Sequence, residues 1–362
     1  MTALAMEMLR QNREWLPFET VRALTEEILP HRDWSRSLLA GLLAEGLLIK
    51  DREEHGGGGE VVRFAYQRLG DHAWAEVLCA DGLEAVTAAL AAMAAKPGGL
   101  HGHSSMLEAL AIQLPERLGH ELHRLVEDPL VHSVQRAYLR SIVWRSPQAF
   151  PDDLDIDYLN QIDEAPFSSL VLDTFLEVAC VPGHPFNVHR LHKNLWSLSM
   201  PERDAWWTAH LLYSDESEGP VRRLIEWAWH DDTSPCSDEA ALLAAMALAW
   251  FLTSSNRWIR DGATKALVGL LRGRLNVLRE LLAKFKGVND PYVAERLLAV
   301  AYGCVLACRE IREVEEVAQQ IYRQVFAAGE PPLMFSCGTT RAVSWNGHGN
   351  SAARCPGLIL CL

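Results

Sequence analysis

The chain has 362 residues, of which 49% are hydrophobic, and a formal net charge of −13 at pH 7. This acidic balance excludes broad, nonspecific attraction to nucleic-acid phosphates or anionic lipids, although a local basic patch is compatible with it. The eight cysteines contain no Cys-x-x-Cys pair, and the first residues lack the pattern of a signal peptide. We therefore expect reduced thiols, a cytoplasmic location and no membrane partner.

The first 80 residues form one predicted domain with a pattern different from the rest of the chain. Its predicted elements are, in chain order, helix Leu16–Leu29, helix Ser35–Glu45, strand 47–54, a glycine turn at Gly56–Gly59 and strand 60–67. Both predicted strands alternate and are rich in Val, Ile, Phe and Tyr, as hairpin strands are. Helices followed by a hairpin indicate a small winged-helix domain of the α+β type.

Winged helices commonly bind DNA through the helix before the hairpin, which here is Ser35–Glu45. Helices that enter the major groove need several Arg, Lys, Asn or Gln side chains to reach bases and phosphates. This helix offers only Arg36, and Glu45 opposes it. We therefore expect a structural or intramolecular contact role and no specific nucleic-acid partner.

Residues 81–333 are predicted to form an array of helices. Before the tryptophan-rich stretch, the predicted helices are 81–99, Met106–Leu114, Leu118–Val126, Val131–Trp144 and Ser168–Ala179. The acidic stretch 146–167 is predicted to be a solvated loop, because its carboxylates are irregularly spaced and lack the glycine of a calcium loop. The dipeptide Asp128-Pro129 recurs as Asp290-Pro291, which favours units of two helices.

The clearest helical periodicity lies in Ser237–Cys308. Ser237 is a predicted N-cap, and Ala240–Phe251 is apolar on nearly all sides, which predicts a buried helix. This apolar run is shorter than the ~20 residues that a membrane span needs. A second helix carries an apolar stripe made of Trp258, Ile259, Ala263, Ala266, Leu267, Leu270 and Leu271.

Two further helices are predicted in this stretch, Leu275–Phe285 and one that begins after the cap Asp290. Arg260 precedes Ala263 as Arg296 precedes Ala299, a weak repeat of about 36 residues that is typical of two-helix units. The predicted fold is therefore mostly α, a HEAT-like α-solenoid preceded by the winged-helix domain.

Tryptophan is concentrated in residues 188–235, which contain Trp196, Trp206, Trp207, Trp227 and Trp229. Exposed tryptophans are costly, so most are expected to pack between helices, and any that stay exposed would mark a partner site. The candidate partner surface consists of Trp206, Trp207, Trp227, Trp229, Arg257 and Arg260.

No catalytic, cofactor or metal site is predicted. His184, His189 and His192 form the densest histidine group, but no His-Glu-x-x-His motif accompanies them, so ordinary surface or interhelix histidines are favoured over zinc ligands. The sequence has no Gly-Lys dipeptide and hence no P-loop. Cys304 and Cys308 are expected to be small core residues.

Two pairs of blocks resemble one protein family. LLAGLLAEGLLIKDREE and EVVRFAYQRLGDHAWAEVL resemble the winged helix that follows the NTPase module in large bacterial STAND (NACHT-like) ATPases, including those of AVAST-type antiviral defence. LAWFLTSSNRWIRDGATKALVGLL and FKGVNDPYVAERLLAVAYGCVL resemble the long helical region downstream in such proteins. The resemblance extends to about Pro332.

This resemblance implies a non-catalytic sensor fragment of an anti-phage STAND NTPase. Its helical array would bind a protein ligand, and its winged helix would relay that event to an NTPase module that is missing from this sequence. The intact parent would be an ATPase, but the resemblance implies no ATP hydrolysis for this chain. The alternatives are a free-standing helical scaffold for a protein partner and a decayed gene remnant.

The tail 334–362 is predicted to lie outside the fold. It contains no Asp or Glu but three of the eight cysteines. Back-translation with GC-rich codons and a shifted frame yields an amphipathic helix instead, which favours a frameshift near Met334. We therefore assign no function to the Cys and His residues of the tail.

Overall fold

The computed structural model describes residues 1–11, 13–31, 33–52, 59–151, 156–162, 169–213 and 218–325, with the short strands at 342–343 and 360–361. The protein is mostly helical and contains a small three-stranded antiparallel sheet. Contacts between residues divide the chain into two compact units, Met1–Pro166 and Phe167–Leu362. The predicted domain boundaries at residues 80 and 333 stay predictions.

The described part of the first unit contains eight α-helices and three β-strands. In chain order they are α1 (Thr2–Gln11), β1 (Trp15–Pro17), α2 (Phe18–Ile28), α3 (Leu38–Ala44), β2 (Leu48–Arg52), β3 (Glu60–Phe64), α4 (Gln67–Ala80), α5 (Leu83–Ala94), α6 (Ser104–Leu118), α7 (His132–Trp144) and α8 (Ile156–Gln161).

Strand β3 is the centre of the sheet and pairs antiparallel with β1 on one side and β2 on the other. Val62 of β3 lies opposite Leu16 and Lys50. Leu16 and Val62 are fully buried in a core that also contains Leu4 and Met8 of α1. The two predicted hairpin strands are confirmed as β2 and β3, and most of the predicted glycine turn lies outside the described residues.

Both helices predicted before the hairpin begin later than expected. Trp15–Pro17 pairs with β3, and the helix starts only at Phe18, after Pro17 with its extended backbone. The second helix starts after Ser37, whose hydroxyl accepts a hydrogen bond from the Ala40 N–H at 3.0 Å. The residues before it, Trp34–Arg36, form a 3-10 turn. Local propensity therefore predicted both helices but placed their starts too early.

Two predictions in the middle of the first unit are wrong. The helix predicted at Leu118–Val126 does not form, because Gly119 ends α6 with a φ of 68° and only a 3-10 turn follows. In contrast, part of the predicted acidic loop is helical: α8 carries Tyr158 and Leu159, which are both buried. Residues 152–155 and 163–168 of that stretch lie outside the described residues.

The described part of the second unit contains ten α-helices. In chain order they are α9 (Ser169–Glu177), α10 (Val188–Ser197), α11 (Met200–Arg203), α12 (Ala209–Tyr213), α13 (Pro220–His230), α14 (Asp238–Phe251), α15 (Arg257–Leu271), α16 (Leu275–Lys284), α17 (Pro291–Ala307) and α18 (Ile311–Val325). A π-helical turn, Asp204–Thr208, joins α11 and α12. The strands β4 (Ala342–Val343) and β5 (Leu360–Cys361) pair antiparallel, and the rest of the predicted tail lies outside the described residues.

The helices of this unit pack in two rows. Helices α9, α13, α15 and α17 contact one another successively, and α10, α14, α16 and α18 do the same. Helix α14 also contacts α13, α15 and α17 of the other row. It is buried from Ala241 to Phe251, because neighbours cover it on all sides, which confirms the predicted core helix. Its predicted cap is also confirmed, since Ser237 accepts a hydrogen bond from the Ala240 N–H at 3.2 Å.

Glycine permits the close approach of α13 and α15. A Cβ atom at Gly269 would lie 2.8 Å from the backbone oxygen of Ala228, closer than a carbon and an oxygen can pack. At Gly262 it would lie 3.0 Å from the Cγ2 atom of Ile225. Both glycines lie on the α15 side that meets α13, so the absence of side chains sets the spacing of the row.

Helices α15 and α17 repeat each other at an interval of 34 residues, slightly shorter than the predicted repeat. The interval relates their caps, Asn256 and Asp290, and five pairs of buried positions. These pairs are Ile259 and Val293, Ala263 and Leu297, Ala266 and Val300, Leu267 and Ala301, and Leu270 and Cys304. Trp258 was predicted to belong to the apolar stripe but is 41% exposed, because it lies at the edge of the packed face.

Candidate functional site

Cationic and aromatic side chains gather on the outward side of the row formed by α13, α15 and α17. We call this surface the arginine–aromatic face. It consists of Arg222 and Trp229 on α13, Arg257, Trp258, Arg260, Asp261 and Lys265 on α15, and Tyr292 and Arg296 on α17. With Glu226, which accepts a hydrogen bond from Nε of Arg222 at 2.7 Å, it carries five basic side chains and two carboxylates on a chain whose net charge is −13.

Helix caps place one aromatic ring at the same position of α15 and α17. The side chain of Asn256 accepts a hydrogen bond from the Trp258 N–H at 2.9 Å, and Asp290 accepts one from the Tyr292 N–H at 3.0 Å. Each cap satisfies a backbone donor that the helix leaves free at its start. The two aromatic residues therefore occupy the second helical position in both helices.

An arginine of the neighbouring helix in the same row lies over each of these rings. The guanidinium carbon of Arg222 lies 5.6 Å from the ring centroid of Trp258, and that of Arg260 lies 5.1 Å from the ring of Tyr292. At these distances the cation is attracted to the negative face of the ring. The same pairing of arginine and aromatic ring thus links α13 to α15 and α15 to α17.

A small network of charges joins α15 and α17 beside Tyr292. Arg257 donates from Nε to Oδ2 of Asp261 at 3.1 Å, and Nη2 of Arg296 lies 3.2 Å from Oδ1 of the same carboxylate. Arg296 also donates to the hydroxyl of Tyr292 from Nη2 at 2.7 Å. Although burial raises the pKa of Asp261, the hydrogen bond from Arg257 and the charges of Arg296, Arg257 and Arg260 lower it overall. Asp261 is therefore ionised at neutral pH.

Lys265 extends the arginine–aromatic face along α15. Its Nζ lies 4.3 Å from the ring centroid of Trp229, and the ring of His230 stacks on Trp229 at 4.4 Å. The Trp229 side chain is 38% exposed. The surface therefore continues from the start of α15 towards its end.

The structure separates the six residues of the predicted partner surface. Trp229, Arg257 and Arg260 belong to the arginine–aromatic face. Trp207 is fully buried, and its Nε1 donates to the hydroxyl of Thr253 at 3.0 Å, so it contributes to the core and not to an exposed surface. Trp206 and Trp227 are partly buried against the same core.

Several residues of the face were not singled out by the sequence. Trp258 was assigned to an apolar stripe, and Tyr292 was given no role. The sequence signal that could have identified both residues is their shared position, two residues after a capping Asn or Asp. No local signal indicated that Arg296 would reach Asp261, because these residues lie on different helices.

The three histidines of the densest group have separate structural roles. His184 is buried and accepts a hydrogen bond from the Phe186 N–H at 3.1 Å, and His189 lies in the first turn of α10. Nδ1 of His192 accepts a hydrogen bond from Nε1 of Trp250 at 3.0 Å. Across the described part of the chain, no three His, Cys, Asp or Glu side chains are grouped as metal ligands.

Cys304 is one of the predicted core cysteines. It is fully buried on α17, and burial raises the pKa of its thiol to about 12. Cys308 is partly buried against the same core. A thiol with so high a pKa carries almost no thiolate at neutral pH and is a poor nucleophile.

An open groove lies between α16 and α18. Of its ten lining residues only Ala283 is apolar, and Arg279 pairs with Glu316 across it. Small-molecule sites are mostly apolar and enclosed, so this groove has the wrong character for such a ligand.

Comparison of the chain with protein-family models, curated proteins and solved structures gave no match. Among the residues that the structure describes, no helix has the length and hydrophobicity required to cross a membrane. The function of the chain must therefore be inferred from its own geometry.

Proposed function

We propose that this chain is a non-catalytic binding module that recognises a protein ligand through the arginine–aromatic face. The observation that carries the proposal is the paired arrangement of Arg222 with Trp258 and Arg260 with Tyr292 on neighbouring helices. Trp, Tyr and Arg are the residue types that contribute most to protein–protein binding energy. Here they are held on a packed row of helices, so little ordering is needed when a partner binds.

The packing of the second unit supports a HEAT-like solenoid within this proposal. Its helices alternate between two rows, and α15 and α17 correspond position by position. Helical-repeat proteins use such rows of helices as extended binding surfaces. The arginine–aromatic face runs across three neighbouring helices of one row, as a repeat-built binding surface would.

The first unit supports the proposed winged helix. Its elements follow the order α1, β1, α2, α3, β2 and β3, and its sheet has the strand order β1-β3-β2. Helix α3, Leu38–Ala44, contains no basic residue. We therefore propose that this domain makes protein contacts and does not recognise DNA bases.

We further propose that the chain is the ligand-sensing part of a STAND-type NTPase of anti-phage defence. In that arrangement the ligand binds the helical array and the winged helix transmits the event to a nucleotide-binding module encoded outside this sequence. The competing proposal is a free-standing helical scaffold, which the same surface would also serve. Sequencing the locus distinguishes them, because the sensor requires a P-loop reading frame directly upstream, and its absence would favour the scaffold.

Affinity capture with two matched variants tests the binding role. The first variant, Trp258→Ser with Lys265→Glu, alters the arginine–aromatic face. The control, Tyr322→Ser with Arg312→Glu, likewise replaces one aromatic and one basic side chain, on the exposed part of α18. The proposal expects one protein from phage-infected cells to bind the wild type and the control but not the first variant. Equal capture by both variants, or no captured protein, would contradict it.

A further inference from the structure

We propose that Arg257, Arg260 and Arg296 form a site for carboxylate side chains in an acidic segment of the partner protein. We call these three residues the arginine cluster. The inference rests on the proposed protein-binding function and specifies the chemistry of its ligand. It is carried by the charge balance and the order of the cluster and by the exposure of Arg257.

The arginine cluster has a surplus of positive charge. Arg257 and Arg296 pair with Asp261, and the charge of Arg260 also acts on it. Within the part of the chain that the structure describes, Asp261 is the one carboxylate that pairs with the cluster. The surplus of two charges occurs on a chain with a net charge of −13, so the cluster locally reverses the sign of the protein. A complementary partner therefore presents carboxylates at this place.

The arginine cluster has N–H donors that are not used in hydrogen bonds within the protein. Arg257 uses its Nε for Asp261, while its side chain is 87% exposed, so its terminal nitrogens face solvent. Arg260 donates from Nη1 to the Ser254 oxygen at a long distance of 3.3 Å. A guanidinium group carries five N–H donors in a fork that matches both oxygens of a carboxylate.

The guanidinium groups are ordered before a ligand arrives. The hydroxyl of Tyr292 holds Arg296 from one side, and the ring of Tyr292 supports Arg260. Asp261 fixes Arg257 and Arg296 relative to each other. Because these side chains already occupy defined positions, a bound carboxylate immobilises few additional rotamers.

Nucleic acid fits this surface less well than an acidic peptide. Proteins that bind single strands stack bases on free aromatic rings, but a cation already covers the rings of Trp229, Trp258 and Tyr292. The net charge of −13 also repels a long polyanion, whereas a short acidic segment experiences mainly the local field.

Fluorescence anisotropy with a short, labelled oligo-L-glutamate peptide tests the inference on the full chain. The wild type should bind this probe in low salt and release it as salt rises, since the contact is between exposed charges. Arg257→Glu should weaken binding by about tenfold, and Arg257→Gln should have a smaller effect in the same direction. The control Arg312→Glu has the same change in net charge and should bind within about twofold of the wild type.

Three results would overturn the inference. These are no binding of the oligo-L-glutamate peptide by the wild type, equal weakening by Arg257→Glu and Arg312→Glu, and tighter binding of a single-stranded oligonucleotide of matched charge. The capture experiment with Trp258→Ser and Lys265→Glu remains a separate test of the proposed function. If that face captures a protein but has no affinity for the oligo-L-glutamate peptide, the proposed binding function stands and the acidic ligand is wrong.

Discussion

The guanidinium group of Arg203, at the end of α11, lies 3.9 Å from the carboxylate of Asp290, the N-cap of α17. Both side chains are buried. Oδ1 of Asp290 accepts the hydrogen bonds that start α17, while Oδ2 faces Arg203. Burial lowers the pKa of Arg203, and the nearby charge of Asp290 partly offsets this effect. One carboxylate therefore serves as both a helix cap and the partner of a buried cation.

Substitutions at Asp290 should separate these two roles. Asp290→Asn keeps a capping side chain but removes the charge, whereas Asp290→Ala removes both. We expect Asp290→Ala to lower the free energy of unfolding by about 3 kcal/mol and Asp290→Asn by about half as much. Urea denaturation followed by tryptophan fluorescence measures the difference. Equal losses in the two variants would mean that the cap contributes nothing.

The close contact at Gly269 predicts a steric penalty. In Gly269→Ala the new methyl group meets the backbone oxygen of Ala228 at 2.8 Å, so α13 and α15 must separate. We expect a loss of about 2 kcal/mol in the free energy of unfolding. Gly41→Ala is the control, because the residue is inside α3 and its new methyl group would have no described atom within 4 Å apart from the adjacent residues and backbone of its own helix.

The control should be neutral or stabilise its helix by up to about 1 kcal/mol, since alanine is the better helix former. Thermal unfolding of both variants gives the comparison. If Gly269→Ala is as stable as the wild type, the contact between α13 and α15 is looser than the structure indicates.

The environment of His192 predicts a pH dependence. Burial, followed by the charges of Lys284 and His189, lowers its pKa from 6.5 to about 4. The unfolded chain therefore binds more protons than the folded chain between these pH values, and stability falls as the pH falls through this window. His192→Gln keeps an acceptor for Trp250 but does not titrate. Its stability should decline less than that of the wild type between pH 7 and pH 4, as measured by urea denaturation at several pH values.

The buried ion pair of the first unit predicts a non-additive pair of substitutions. Arg145 donates to both oxygens of Glu121, at 3.0 and 2.7 Å, and its guanidinium group lies 4.1 Å from the ring centroid of Phe150. Arg145→Met leaves Glu121 buried without its cation and should cost about 3 kcal/mol. Adding Glu121→Leu should restore at least half of that loss in a double-mutant cycle. A simple sum of the two single effects would show that the residues act independently.

Local signals predicted the caps and the most apolar helix well. Ser237 and Asp290 were identified because a capping side chain contacts backbone groups only two or three residues away. Helix α14 was identified because its residues are apolar on all sides, so burial did not depend on which face met a neighbour. Such features are encoded within a few turns of the chain.

Features that depend on distant residues were missed. Strand β1 has three residues and exists because Leu16 meets Val62, far along the chain. Trp207 and Trp229 both belonged to the predicted partner surface, yet the first is buried and the second is 38% exposed. Which of them is covered depends on the position of α14, which no local pattern specifies.

The arginine cluster illustrates the same limit at the candidate site. The repeat of Arg260 and Arg296 was visible in the sequence, but their shared contact with Tyr292 was not. That contact needs α15 and α17 to be adjacent and correctly offset, and both conditions arise from packing. The predicted partner surface therefore included Arg257 and Arg260 of this cluster but not Arg296.

Site-specific photo-crosslinking in phage-infected cells shows whether the arginine–aromatic face binds a protein ligand. A benzophenone amino acid replaces Trp258 on the arginine–aromatic face or, as the control, Tyr322 on α18, which is 51% exposed. The proposed function predicts a protein adduct of one defined mass from position 258 and no adduct of that mass from position 322. An adduct from position 322 alone, or none from either position, would contradict the claim that this face binds a protein ligand.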